Sequence, residues 1–401
     1  MAQKILLFIT DAGGGHRASA LSLKAACETA SLPYEVEVVN VYRSMWRKAE
    51  PLGRLTGVYG EDVYNFTLKH SLLAPASALR AVARWAANTP NRRAYQDGLA
   101  YVRAERPALC VSLMPFVNDT LARICREAEV PFTLIMTDLV DLTPFMWYTP
   151  LACAEAAWVA APCGEAAEQA RSVGASKILS SGLLLHPKYF APSYLGSSRA
   201  EIRQRLGLDA DAFTVLLSMG GFGGSALEDL VEGLESRGDR WQIVVACGRN
   251  AALRERLLRR KPGRHKVVPL GFTQDLHLYL RAADLMAGKP GPASLFEAVA
   301  ARTPLVLDAA AVMPQERPNA DLAARNGLAL AVRRRSELPD ALAALAADPQ
   351  RRRAMVAAQE AYALPDAGAV LAQAVAETAH QGGRAAVQPR PVGAHPAFQG
   401  A

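Results

Sequence analysis

The chain alternates short, almost wholly apolar runs with longer stretches in which apolar residues recur at helical spacing. The runs KILLFIT, EVEVVNVY, ALCVSLM, FTLIMTDL, AAWVAAP and KILSSG fill the first half, and TVLLSMGG, WQIVVACG, KVVPLG, ADLMAG and PLVLDA the second. Unbroken apolar runs of this length mark strands covered on both faces, and their alternation with helices predicts parallel sheets sandwiched between helical layers. The polar stretch HPKYFAPSYLGSSRAEIRQRLGL, with its two prolines, divides the runs into two sets. Each set opens alike. In the first, a strand at 5–10 leads through Gly13, Gly14 and Gly15 into a helix at 18–30, and VLLSMGGFGGSALEDLVEGL repeats strand, glycine turn and helix in the second. The pattern predicts an α/β protein of two doubly wound, Rossmann-like domains facing across a cleft, where open α/β sheets bind their ligands. The expected boundaries are 1–186 for an N-terminal domain, 187–205 for a linker and 206–365 for a C-terminal domain. A C-terminal helix and tail fill 366–401, with disorder expected from about Gln381.

Composition changes this picture in two places. A chain of 401 residues, 51% hydrophobic, is long enough to bury two cores. The six cysteines (Cys27, Cys110, Cys125, Cys153, Cys163, Cys247) form no C-x-x-C pair and sit mostly in apolar runs, so they read as buried, reduced thiols in a cytoplasmic protein. The start MAQKILLFIT lacks the layout of a signal peptide, and no apolar stretch long enough to span a bilayer follows. The formal charge of +7 is concentrated. Residues 43–106 hold eleven Lys and Arg against five Asp and Glu, together with Trp46, Tyr59, Phe66 and Trp85. Basic residues interleaved with aromatics suit an anionic lipid surface, with Arg80, Arg84, Arg92, Arg93 and Trp85 as its contacts; the plain alternative is a solvated helical face. No nucleic-acid module accompanies them, so nucleic acid is not the expected partner.

The glycine turns carry the candidate chemistry. A strand that ends in a glycine turn and feeds a helix aims backbone N–H groups and a helix dipole at an anion, although a turn that merely lets helix and strand pack would look similar. No Lys-Ser or Lys-Thr follows the first turn, and GGGHRA is not G-x-G-x-x-G, so neither a triphosphate loop nor a dinucleotide fingerprint is present. His16 stands behind the glycines instead. In the second half, GKPGPASLFEA places small residues ahead of a helix whose early turn carries Glu297, a layout suited to a diphosphate at the helix N-terminus and a carboxylate on paired ribose hydroxyls. Gln315, Glu316 and Asn319, in PQERPN, supply the amides and carboxylate needed to read the hydroxyls of a sugar ring. The DAD of 209–211 falls in a polar turn and reads as solvated acid, the seven histidines include no H-x-x-x-H pair for zinc, and no G-x-S-x-G elbow occurs.

Together and in this order, GGGHRASA, TDL followed by WYTP, GLLLHPKYF, MGGFGG, VVACGRN, LGFTQDLHLYLRAAD, GKPGPASLFEA and PQERPN resemble the diacylglycerol glycosyltransferases of glycosyltransferase family 28, over roughly residues 4–345. The resemblance implies the two-domain fold called GT-B and an inverting transfer of galactose or glucose from a UDP-sugar to diacylglycerol. It further implies no bound metal or other cofactor, and action as a peripheral protein at the cytoplasmic membrane face. It places Gly14, Gly15, Gly220, Gly221, Gly223, Gly224, Arg249, Pro290, Gly291, Pro292, Ala293 and Ser294 around the donor, Phe272 beside uracil, Glu297 on the ribose, and Gln315, Glu316 and Asn319 on the donor sugar. Phe145 and Trp147 fall on the acceptor side. The chain departs from the family at KPGPAS, where KAGPGT is usual, so Pro290 and Ala293 stiffen that loop, and at Phe145 or its neighbour and at Thr149, where plant members carry histidines.

An inverting transfer needs a group to take the proton of the attacking hydroxyl, and an imidazole with an ordinary pKa of about 6.5 suits that task. His16 is the expected base, or else a hydrogen-bond partner of the diphosphate or donor sugar. Asp138 is the alternative base, the partner that orients one, or a strand-end carboxylate capping the next turn. Other readings stay open: another lipid-linked or polysaccharide acceptor, as in the peptidoglycan GlcNAc transferase that shares the fold, a UDP-sugar epimerase, and a nucleotide-sugar sensor without turnover.

Overall fold

A computed structural model describes residues 3–12, 14–47, 51–69, 92–140, 146–220, 226–310, 316–362 and 366–387. Two six-stranded sheets organise the chain, and every pairing in them is parallel. The first contains β1 (Gln3–Ile9), β2 (Tyr34–Asn40), β3 (Leu109–Ser112), β4 (Phe132–Ile135), β5 (Val159–Ala161) and β6 (Ile178–Ser180), in the order β2-β1-β3-β4-β5-β6. The second contains β7 (Thr214–Ser218), β8 (Gln242–Gly248), β9 (Lys266–Gly271), β10 (Leu285–Gly288), β11 (Leu305–Asp308) and β12 (Leu330–Val332), in the order β12-β11-β10-β7-β8-β9. Strand β1 shows why the apolar runs lack alternation. Leu6 and Phe8 pack into one core, Ile5, Leu7 and Ile9 into another on the opposite face, and all five are fully buried. In β7, Leu216 and the pair Val215 and Leu217 divide in the same way.

The strand orders fix where ligands can enter. From β1 the chain runs outward to β2 and then crosses to β3 on the other side of β1, so the order reverses between β1 and β3. It reverses again between β7 and β10 in the second sheet. At such points the loops leaving neighbouring strands diverge to opposite faces and open a crevice at the carboxyl ends.

Four features differ from the sequence pattern. The first helix spans Gly15–Thr29, beginning ahead of the expected 18–30, because Gly14 adopts φ 81° and turns the chain straight into the helix. His16 is therefore helical, not part of a loop. A sixth strand, β12, completes the second sheet. The expected linker contains the helices Pro192–Gly196 and Arg199–Arg205, the latter opened by a reciprocal capping box between Ser198 and Glu201. Tyr189, Tyr194 and Ile202 bury themselves in the core of the second domain, so the segment belongs to that domain. Finally, residues 381–387 continue the helix Ala367–Val387, and 388–401 lie outside the described residues. That helix returns to the first domain, where Leu371, Ala372 and Val375 join the core beneath β1 and Trp158 Nε1 donates to Thr378 Oγ1 at 2.8 Å. All six cysteines are free, five of them buried.

Candidate functional site

The carboxyl ends of β1 and β3 hold His16. Its Nδ1 lies 3.1 Å from Thr137 Oγ1, its ring packs on Trp147 with centroids 5.8 Å apart, and the Leu113 carbonyl at the end of β3 is a hydrogen-bond partner. Burial pushes its pKa down to about 4, against the opposing pull of that carbonyl and of the Asp11 carboxylate. The ordinary value assumed from sequence is thus corrected downward: desolvation disfavours the imidazolium, and the ring is neutral throughout the physiological range. Trp147, expected on an acceptor or membrane surface, is 0% exposed. It is a wall of the site. Its Nε1 donates to Asp138 Oδ2 at 3.0 Å, so Asp138 orients the indole that packs on His16. Thr149, four residues from Phe145, caps the helix Pro150–Glu155 by accepting from Ala152 N and bonds Asp119, which gives it a structural role.

The carboxyl ends of the second sheet gather the donor candidates. Gly220 follows β7 at φ 91°, and a Cβ there would stand 3.2 Å from Lys289 Cε, so glycine is what lets the lysine stem cross the turn. Lys289, the residue after β10, pairs with Glu316 at 3.1 Å. Pro290 and Gly291 then lead into the helix Pro292–Ala300, where proline at its first position presets φ and the Gly291 cap has no side chain to occupy the first-turn N–H groups of Ala293 and Ser294. Asn319, in the helix Arg317–Arg325, donates from Nδ2 to the Pro290 carbonyl at 2.9 Å. Its Oδ1 is buried and, among the described residues, has no hydrogen-bond partner. A buried acceptor without a donor is costly, and a ligand hydroxyl would satisfy it. Glu297 lies in the second turn of its helix, not the first; burial raises its pKa to about 7, opposed by the Tyr189 hydroxyl and the Lys188 ammonium that face it. At the ends of the neighbouring strands β8 and β9, the Arg249 guanidinium stacks over the 61%-exposed Phe272 ring at 5.0 Å.

Sequence reasoning overlooked Thr137, Lys188, Tyr189 and Lys289. Each lies in a motif it had quoted, IMTDL, HPKYF or GKPGPAS, but only the fold shows which side chains turn inward. Gly221, Gly223, Gly224, Gln315, Phe145, Arg80, Arg84 and Trp85 lie outside the described residues. In the basic segment the structure separates two kinds of residue. Trp46 and Tyr59 are buried and serve the core, and the exposed Arg43 is paired with Glu61 and Asp62. Arg92, Arg93, Leu55, Val58 and Phe66 are exposed. Among the described residues no group of His, Cys, Asp or Glu could hold a metal ion, and no helix is long and apolar enough to cross a membrane.

Comparison with known proteins adds to this geometry. The glycosyltransferase family 28 C-terminal domain matches residues 215–369, the stretch that contains β7 to β12. Probable monogalactosyldiacylglycerol synthase 2, chloroplastic, of Oryza sativa subsp. indica is 28% identical over 339 residues, covering 77% of this chain and 66% of that relative. The chain thus spans just under two thirds of the relative's length. Among solved structures, Acinetobacter baumannii MurG superposes with a TM-score of 0.61 at 15% identity, covering 94% of this chain and 99% of that one. The UDP-GlcNAc 2-epimerase from Neisseria meningitidis bound to UDP-GlcNAc superposes with a TM-score of 0.56 at 12% identity, over 93% of this chain and 100% of that one. At such identities the structures speak for the fold alone: two Rossmann-like domains in the GT-B arrangement.

Proposed function

We propose that this chain, a member of glycosyltransferase family 28, is a UDP-sugar glycosyltransferase that moves a hexose, galactose or glucose, to diacylglycerol. The transfer inverts the anomeric centre, uses no metal, and takes place at the cytoplasmic face of a membrane to which the protein binds peripherally. The observation that carries the reading is the presence of a neutral His16 at the β1/β3 switch point and of Lys289, Glu316 and Asn319 Oδ1, unsatisfied among the described residues, at the β7/β10 switch point. The name of the synthase relative supports the lipid acceptor and the hexose.

The neutral ring has one N–H; where Nδ1 carries it, toward Thr137 Oγ1 and the Leu113 carbonyl, His16 Nε2 keeps its lone pair. The acceptor hydroxyl gives its proton to that nitrogen as its oxygen bonds to the anomeric carbon. The bond from that carbon to the diphosphate oxygen breaks on the opposite face, and its electron pair leaves with UDP. The first-turn N–H groups of the helix Pro292–Ala300 and the Lys289 ammonium stabilise the charge that develops there. Glu297 accepts from the ribose hydroxyls, Arg249 and Phe272 bound the base, and Glu316 and Asn319 read the sugar. Incubation with UDP-galactose or UDP-glucose and diacylglycerol vesicles, with and without chelator, tests this. A glycolipid of inverted configuration, formed equally in both, is expected. A sugar nucleotide isomerised without lipid would establish an epimerase instead, and donor binding without turnover a sensor.

Membrane attachment gives a separate expectation. Arg92 and Arg93 are exposed in the helix Arg92–Glu105, and Leu55 and Phe66 expose apolar side chains in the same basic segment. A cation near an anionic surface gains about 1 kcal/mol, so reversing both arginines to glutamate should weaken vesicle binding by more than about tenfold. Sedimentation should show salt-sensitive binding to anionic vesicles; equal binding to neutral ones would reject the electrostatic anchor.

A further inference from the structure

The glycine turn before His16 has little packing of its own, since a Cβ at Gly14 or Gly15 would meet nothing within 4 Å. Open space there gives Gly14 and Gly15 no neighbouring side chain to hold the turn. Its restraint comes from Asp11, the residue that leads into it. The Asp11 N–H donates to Glu61 Oε2 at 2.7 Å, and its carbonyl accepts from Asn65 Nδ2 at 2.9 Å. Its carboxylate accepts from Arg17 Nε at 2.5 Å and Nη2 at 2.8 Å. Arg17 follows His16 in the first turn of the helix Gly15–Thr29, while Glu61 and Asn65 stand four residues apart on one face of the helix Gly60–Lys69.

Glu61 is the centre of this arrangement. Its side chain is 1% exposed, and besides Asp11 N it accepts from Thr10 Oγ1 at 2.9 Å, Asn40 Nδ2 at 2.9 and 3.1 Å, and Arg43 Nε at 2.6 Å. Asn40 Nδ2 also reaches Asp11 Oδ2 at 2.8 Å. Burying a carboxylate is expensive even when it is well paired, and an apolar residue would anchor the helix at less cost. What a carboxylate adds is direction. Its donors sit at the ends of β1 and β2 and at the entry to the glycine turn, so it fixes the backbone where side-chain packing is missing.

We infer that Glu61 is a positioning residue for His16, tying the helix Gly60–Lys69 through Asp11 and Arg17 to the first turn that carries the imidazole. The inference rests on the reading of His16 as the base. It also joins the catalytic turn to a helix whose outer side carries Phe66, 57% exposed, within the segment assigned to the membrane.

The test is a kinetic double-mutant cycle on the full chain with UDP-galactose or UDP-glucose, whichever turns over, and diacylglycerol vesicles. Glu61→Gln keeps the shape but offers one acceptor oxygen and sets an NH2 group against the Asn40 and Arg43 donors. Its kcat should fall about tenfold or more while the donor KM stays within about twofold, as expected when reacting groups are misplaced but donor contacts survive. Calorimetric UDP affinity should match the wild type. In a His16→Ala background the same substitution should change kcat by less than about twofold, because a group that acts through His16 has nothing left to position. An equal loss in both backgrounds, or an unchanged kcat, would overturn the inference. Should Glu61→Gln fail to fold, Asn65→Ala removes a single tie to Asp11 and should show a smaller kcat loss with the same background dependence; its absence is equally fatal. His16→Ala alone separates the two claims, since wild-type turnover in that enzyme overturns the reading of His16 and this inference with it.

Discussion

Replacing His16 with alanine should lower kcat on the order of 10²-fold or more and leave UDP binding nearly intact, as expected for loss of a general base. The reasoning starts from placement at the β1/β3 switch point, continues through the fixed ring orientation set by Thr137 and Trp147, and ends on the protonation state. Burial holds the pKa at about 4, so the ring is neutral at pH 7 and loses competence only as pH falls through that value. In the wild-type profile of kcat/KM, which reports the free enzyme, His16 should therefore give an acidic limb at about pH 4, below the separate limb that Glu297 gives at about pH 7. Once the donor is bound, its diphosphate charge favours the imidazolium, so the His16 limb of kcat should lie at higher pH than the His16 limb of kcat/KM. Both His16 limbs should vanish in the variant, and the Glu297 limb of kcat/KM should remain. If turnover stays within about threefold of wild type and the limb persists, the role passes to another group, with Asp138 the first to examine.

Much of this was legible in the chain because parallel sheets write themselves as uninterrupted apolar runs. The strand β12 escaped notice for a physical reason: Leu330–Val332 is three residues long and lies in the Ala-rich run LALAV, where neither helix nor strand periodicity has room to declare itself. The C-terminal helix was legible as a helix but not as part of the first domain. Its small residues permit the docking, since a Cβ on Gly368 would lie 3.1 Å from Ala26 Cβ, and nothing local marks such a contact across more than three hundred residues. The site divides in the same way. Motif order placed His16, Glu297 and Asn319 near the carboxyl ends of their sheets, because the strands that precede them are visible. Their electrostatics were not visible, since a pKa depends on what buries the group. Trp147 is the clearest case: the motif put it on the acceptor side, and only the fold shows it fully buried against His16 with its indole N–H held by Asp138. Glu61 read as one acid in a basic segment, and only the fold turns it toward Thr10, Asp11 and Asn40.

Replacing Glu297 with alanine should raise the donor KM about 30-fold or more with little change in kcat, because a carboxylate serving two ribose hydroxyls contributes on the order of 2–3 kcal/mol. The structure adds a pH dependence with a definite sign. Burial raises the Glu297 pKa to about 7, so near neutrality the free enzyme is a mixture of acid and carboxylate. Only the carboxylate accepts from both hydroxyls, and donor binding must therefore expel the proton wherever it is present. Affinity should rise with pH, about tenfold between pH 6 and pH 8, since the competent fraction climbs from roughly a tenth to nine tenths over that interval. A UDP-hexose is the ligand to use. Its diphosphate is esterified at both ends and has no proton to exchange in this range, whereas free UDP does. Calorimetry in buffers of different ionisation enthalpy should detect the released proton near pH 6, and Glu297→Gln should bind weakly with a flat profile. The Tyr189 hydroxyl and the Lys188 ammonium both favour the charged carboxylate, so Tyr189→Phe should move the rise in affinity to higher pH without abolishing it. An affinity that is independent of pH in the wild type, or a Glu297→Ala enzyme with an unchanged donor KM, would remove Glu297 from the ribose and leave it as the half-buried acid that anchors Tyr189.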